Sequence, residues 1–148
     1  MAGYYPPTGF HFKVEVLDLP SIDEDVRFSD VSGLAVELGT EEIAEGGENR
    51  FTQKFPTRPK YPDLVLKRGL LPKSEVVKWI RSCIHDFDIQ PKNIDINLQN
   101  ENHEPLVTWH VINAYPTKWS VSDFNASGNA IVVESLQFYY QSFGVDKK

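Results

Sequence analysis

The sequence predicts a mainly β fold with one α-helix: an antiparallel β-barrel or sandwich, a single helix packed on one side, and a long extended hairpin arm. Three observations carry this. Apolar residues alternate in short runs along the chain, one stretch alone has helical spacing, and no regular succession of helices separates the strands as a parallel sheet would require. The 148 residues match the size of a single domain, expected to span 1–148. With 41 % hydrophobic and 12 % aromatic residues, the chain can build a core and is neither disordered nor of low complexity.

From Phe10 the chain alternates, with Phe10, Phe12, Val14 and Val16 on one face and His11, Lys13 and Glu15 on the other, the mark of a half-buried strand. Pro20 to Asp25 reads as a turn. Val26 to Leu38 is extended again, as one strand or two short ones, broken at Ser32-Gly33, where a bulge or bend is expected. Leu34, Val36 and Leu38 share a face opposite Ala35 and Glu37. Gly39 to Arg50 then turns polar around Gly46-Gly47, and the return limb from Phe51 to Tyr61 leads through Pro56, Pro59 and Pro62. Proline cannot donate to a central ladder, so this limb belongs at an edge or outside the barrel. Together the two limbs predict an arm over about 39–61.

Leu64 to Lys67 reads as a short strand ending at Arg68-Gly69, and Pro72 opens a helix over about 73–87 with Ser74 or its neighbour as cap. Its expected apolar stripe is Val76, Ile80, Cys83, Ile84 and Phe87. Ile94, Ile96 and Leu98 alternate, Asn100 to Pro105 turns, and Val107, Trp109 and Val111 return as the second limb of a hairpin. The last strand runs from about Ala130 to Tyr140, with Leu136, Phe138 and Tyr140 on one face. There is no internal repeat.

Charge and cysteine usage exclude several functions. Lys and Arg number 15 against 21 Asp and Glu, a net charge of −6, which argues against nucleic acid or an anionic membrane as the main partner. Cys83 stands alone, so no internal disulfide or cysteine-rich metal site is available, and its place in the helical stripe suits a small core residue. The N-terminus MAGYYPPTGF lacks the basic and apolar regions of a secretory signal, and apolar runs such as Ala130 to Val133 are too short to span a membrane, so synthesis and folding are expected in the cytoplasm. His11, His85, His103 and His110 follow no metal spacing and read as solvated. The Glu45-Gly46-Gly47-Glu48-Asn49 stretch lacks the lysine and hydroxyl of a phosphate loop, and Asp86-Phe87-Asp88 lacks the further oxygen donors of a calcium loop. No catalytic triad, carboxylate pair or cofactor pattern emerges, so no enzyme activity, cofactor or metal is expected.

One charge pattern stands out. Glu37, Glu41, Glu42, Glu45 and Glu48 follow one another with no basic residue between, and Arg50, Lys54, Arg58, Lys60, Lys67 and Arg68 follow with Asp63 as the one acid. Two readings fit these residues equally: the limbs neutralise each other across one hairpin, or a dipolar arm gives register to head-to-tail assembly.

The succession Phe28-Ser29-Asp30-Val31-Ser32-Gly33-Leu34, Glu45-Gly46-Gly47-Glu48-Asn49, Leu66-Lys67-Arg68-Gly69, Trp79, Trp109, Asn113-Ala114-Tyr115-Pro116-Thr117-Lys118-Trp119, Phe124-Asn125-Ala126 and Glu134-Ser135-Leu136 resembles the tail tube proteins of contractile-tailed phages and phage-tail-like contractile injection systems. It is more distantly similar to the tube protein of type VI secretion. The resemblance implies a homo-hexamer whose rings stack into a tube inside a sheath, with baseplate or tube-initiation and terminator proteins as further partners and cargo, effector or DNA, in the lumen. It implies no stable nucleic-acid binding and no membrane insertion by the subunit. It also selects the assembly reading of the arm, with Glu41, Glu42, Glu45 and Glu48 on one limb and Arg50, Lys54, Arg58 and Lys60 on the other at an inter-ring interface. Gly33 is then expected to bend the strand towards the arm, and Pro116 with Trp119 to fix a corner after the hairpin. The rival expectation from another class is a small monomeric ligand-binding β-barrel, and an enzyme with a site assembled from distant residues is a second.

Overall fold

The computed structural model describes residues 10–44, 52–122 and 132–147. In chain order the elements are β1 (His11–Val16), β2 (Arg27–Phe28), β3 (Asp30–Ser32), β4 (Glu37–Ala44), β5 (Thr52–Lys60), β6 (Leu64–Gly69), α1 (Glu75–His85), β7 (Lys92–Gln99), β8 (Pro105–Val121), β9 (Val133–Tyr139) and β10 (Ser142–Lys147). The antiparallel order β2-β1-β7-β8-β9-β6-β3 forms the body, and β10 adds to β8. β2 and β3 are separated by Ser29 alone, whose N–H donates to Lys67 O at 2.9 Å. The chain itself therefore joins one end of the sheet to the other, closing a barrel. Among the described residues β4 and β5 pair only with each other and form the arm.

Alternation places the core. Val14 and Val16 of β1, Leu64 and Leu66 of β6, Ile94 and Ile96 of β7, Val111 of β8, and Leu136 and Phe138 of β9 are all buried and pack as one cluster. Inward parity is kept along β1, β6 and β9, whereas a register shift at Leu98/Gln99 interrupts the pairing of β7 with β8, and β8 needs two further corrections. Ile112 and Asn113 form a bulge, with Asn113 at φ 51°, a left-handed conformation that asparagine tolerates. A second register shift falls between Pro116 and Lys118. The first bulge lets β8 leave β10 and take up β9: Val107 to Ile112 pair with β10, and Tyr115 to Val121 pair with β9.

The helix begins where Ser74, in extended backbone, accepts the Val77 N–H on its hydroxyl at 3.1 Å, a regular N-cap. It buries Val76, Trp79, Ile80 and Cys83, and Trp79 stacks on Phe138 with centroids 5.7 Å apart. Each such side chain contributes roughly 1.5–3 kcal/mol.

Several expectations change. The helix covers 75–85, inside the expected span, and its buried face includes Trp79 while Ile84 and Phe87 are exposed. The helix stops at Asp86, and Phe87 turns out with φ 51°. The first strand omits Phe10, which is exposed. The extended stretch after Val26 resolves into two very short strands, and residues 33–36 pair with nothing regular before the arm begins at Glu37. Pro116 and Trp119 make no corner, because β8 runs through both. β10 was not expected. The tyrosine-proline N-terminus, Glu45, Gly46, Gly47, Glu48, Arg50 and the Phe124-Asn125-Ala126 stretch lie outside the described residues.

Candidate functional site

The arm is a 37–60 hairpin whose described side chains bury nothing in the body's core. Its pairing sets two faces. Glu42 faces Lys54 on one, and Glu41 faces Phe55 on the other, with Ile43 one step along. Leu38, Ile43 and Phe55 are exposed. An isolated two-stranded sheet is marginal in water, so a hairpin that carries bare apolar side chains is stabilised only when something covers it. A bulge in β5 sits opposite Gly39, where a Cβ would press on Thr57 and on the Arg58 carbonyl. This explains the glycine, since no side chain fits there.

Both limbs are anchored at their base. Gly33 has φ +93° and lies so close to the Asp63 carbonyl that no side chain could be placed there. Its own carbonyl accepts the Tyr140 hydroxyl at 2.8 Å. Tyr61, at the other limb's end, packs edge-on against Tyr140 and Phe143 with centroids 5.7 and 5.3 Å apart. Burial, with Tyr61 and Asp63 nearby, pushes the Tyr140 phenol up to about 12, so it stays a hydrogen-bond donor. One residue of the body, Tyr140, thus holds the segment that leads into one limb and the residue that follows the other.

Beneath the helix lies a buried charged cluster. Arg68 is 3 % exposed; its Nε donates to Glu134 at 3.0 Å, Nη1 to the Asp25 carbonyl and carboxylate at 2.7 and 3.0 Å, and Nη2 to Ser74 at 2.8 Å. The guanidinium also lies 4.6 Å from the Phe28 ring centre. Asp25 accepts the Glu75 and Val76 N–H groups at 2.9 and 3.2 Å, placing an anion at the positive end of α1. The Ser74 hydroxyl donates to the other Asp25 oxygen. Glu134 also accepts the Trp119 indole N–H at 2.8 Å. A turn, two barrel strands, the helix start and the far half of β8 are thereby fixed by one cation.

The histidines are more engaged than expected. His11 and His103 hydrogen-bond through their rings at 2.9 Å. His110, on β8, contacts Asp95 of β7 at 2.8 Å and Asp146 of β10 at 2.7 Å. The hydrogen bond to Asp95, then that to Asp146, raises His110 above its ordinary value of 6.5. A group raised on folding gives its full stabilisation below the ordinary value and loses it as pH rises through the raised one. The stability difference between wild type and H110Q, followed by thermal melts from about pH 5.5 to about 8.5, is therefore expected to be largest on the acid side and to shrink upward. A difference that does not change with pH would contradict this.

The structure brings together only part of the sequence-predicted set. Glu42 and Lys54 make an ion pair within the chain at 3.8 Å, both well exposed, so one rung of the self-neutralising hairpin exists; such a pair is worth about 0–1 kcal/mol. Glu41, Arg58 and Lys60 are exposed and have no ion-pair partner among the described residues. Lys67 is exposed opposite Asp30, whereas Arg68, read from the sequence with the basic limb, belongs to the core. Ser32 pairs in β3, Leu34 packs against the core, Ala114 and Pro116 are buried, and Gly69 ends β6. The sequence reading missed Asp25, Ser74 and Glu134 as partners of Arg68. Parity was the signal: Arg68 shares a face with Leu64 and Leu66, Glu134 shares one with Leu136 and Phe138, and the two stand directly opposite in the register. Among the described residues no cluster of three metal-ligating side chains occurs, and no helix is long and apolar enough to cross a membrane.

Comparison with known proteins places this geometry. The model of the T4-like virus tail tube protein gp19 family matches residues 8–144. Among solved structures, a chain of the anti-feeding prophage baseplate superposes with a TM-score of 0.80 at 25 % identity, over 99 % of this chain and 98 % of that one. A chain of the sheath–tube complex of the extracellular contractile injection system PVC gives 0.77 at 30 % identity, over 99 % and 95 %. A type six secretion system protein shares the fold at 0.62 and 12 % identity, over 92 % and 82 %. No curated protein sequence gives a match. With residues 8–144 under the family model, the chain belongs to the T4-like virus tail tube protein gp19 family.

Proposed function

We propose that this chain is the structural subunit of the inner tube of a contractile tail or contractile injection particle, folding as one domain and closing into hexameric rings that stack around a cargo channel. The arm reaches between rings, and the charged residues on its two limbs, Glu41, Glu42, Glu45 and Glu48 against Arg50, Lys54, Arg58 and Lys60, set their register. The observation that carries this is the hairpin itself: among its described residues it exposes apolar side chains and buries none in the barrel, and the segments flanking it are tied to Tyr140. Partners follow from the assemblies in which the similar chains were solved: a baseplate, a sheath–tube complex, and a cap or terminator. The subunit is made in the cytoplasm and then becomes part of the particle. Its work is mechanical, since a sheath drives a passive conduit, and Cys83, His85, His103 and His110 serve no catalysis.

Sedimentation of the purified protein with and without a chelator tests this. High-mass assemblies that persist in chelator are expected. A species that stays at 16.9 kDa at high concentration in every salt would overturn it in favour of the small ligand-binding barrel.

A further inference from the structure

A groove of about 320 Å³ runs between α1 and the second half of β8. Ile80, fully buried, is its floor, and Ile84 and Trp119, 41 % and 36 % exposed, are its apolar walls. The Trp119 N–H donates to the buried Glu134, which orients the ring. Arg81, His85 and Lys118 rim the groove, and among the described residues no carboxylate lines it. The groove is therefore an apolar slot with the cations Arg81 and Lys118 at its rim.

The chain also carries a complement to it. On one face of the arm Ile43 and Phe55 are diagonal neighbours, 48 % and 44 % exposed, and Glu41 stands directly across from Phe55. Glu42, the next acid along the described limb, points to the opposite face and is engaged by Lys54. The arm thus offers an apolar pair beside a carboxylate that has no ion-pair partner among the described residues, the inverse of the slot. Two different, mutually complementary patches on one chain make a head-to-tail contact, which propagates instead of closing as a dimer.

We propose that the groove between α1 and β8 receives the arm of a second copy, with Ile43 and Phe55 against Ile84 and Trp119 and Glu41 towards Arg81 and Lys118. This rests on the reading of the arm as the assembly element, and names its receptor.

Charge exchange tests it in the full-length chain. E41K alone, and R81E with K118E, are each expected to cut the pelletable fraction about tenfold, with melting curves confirming that the exposed substitutions leave the barrel folded. The three together should restore assembly to within about threefold of wild type, because the pair is inverted and not removed. A second variant, I43C with I84C, should form chain-to-chain disulfides under copper-phenanthroline oxidation, Cys83 being buried. Groove variants that assemble like wild type, a triple variant no better than its parents, or cysteines that never cross-link would overturn the proposal. Loss of sheath binding with tube formation intact would overturn it too, and would give the groove to the sheath. Excision of the arm separates the two levels: if excision leaves assembly intact, the reading of the arm itself fails, whereas if it abolishes assembly while the charge exchange gives no rescue, only the receptor is wrong.

Discussion

Replacing Arg68 with alanine is expected to lower the unfolding free energy by about 3–5 kcal/mol, a large share of the roughly 5–15 kcal/mol available to a domain. The loss has two sources. The Asp25 and Glu134 carboxylates, both nearly inaccessible, are left without their cation, and the start of α1 loses the side chain that ties it to β6 and β9. Arg68→Lys should rescue little, because an ammonium cannot serve Glu134, Asp25 and Ser74 together as the planar guanidinium does. Lys67→Ala, next along the same strand but exposed, should stay within about 0.5 kcal/mol of wild type. Denaturant titration measures all three. A cost for R68A of under about 1 kcal/mol, the range of a surface pair, would mean that the cluster is solvated.

Excising the arm should separate folding from assembly. Glu37 and Lys60 face each other at its base, so Val36 and Tyr61 can be joined by an Asn-Gly turn without spanning a gap. Because the core cluster draws on none of the described arm residues, the shortened chain is expected to keep its melting temperature to within a few degrees, as for a change of under about 1 kcal/mol, while forming no tubes. The full chain and the excised one, compared by melting and by sedimentation, give the result. An excised chain that unfolds would show the arm to be part of the fold. One that still polymerises would remove it from the interface.

How far the sequence could be read depended on whether the relevant force was local. β1, β7 and the first half of β8 were legible because one face of each is buried and period-two alternation records that directly. The helix was legible in kind, but its stripe was drawn one turn too far. Asp86 ends the helix, so Phe87 has no helical face to share. The second half of β8 was not legible, because Pro116 with Trp119 suggested a corner; Pro116 instead sits at a register shift, where a missing N–H costs little. β10 escaped notice because Gly144 divides its only apolar pair, Phe143 and Val145. The arm's existence could be read from its prolines and polarity, but the distribution of its charges over two faces could not, since a bulge at Gly39 intervenes. Arg68 was the main misplacement. Its charge suggests a surface, and only the closure of three segments far apart in sequence, around residues 25, 68 and 134, gives it partners.

The central claim is that this chain by itself builds a tube, and electron microscopy of the purified protein with symmetry analysis of end-on views tests it most directly. Hollow rings with sixfold symmetry, stacked in side views into tubes of variable length, are the predicted result. Monomers or closed dimers at every concentration and salt, with no end-on ring, would contradict it.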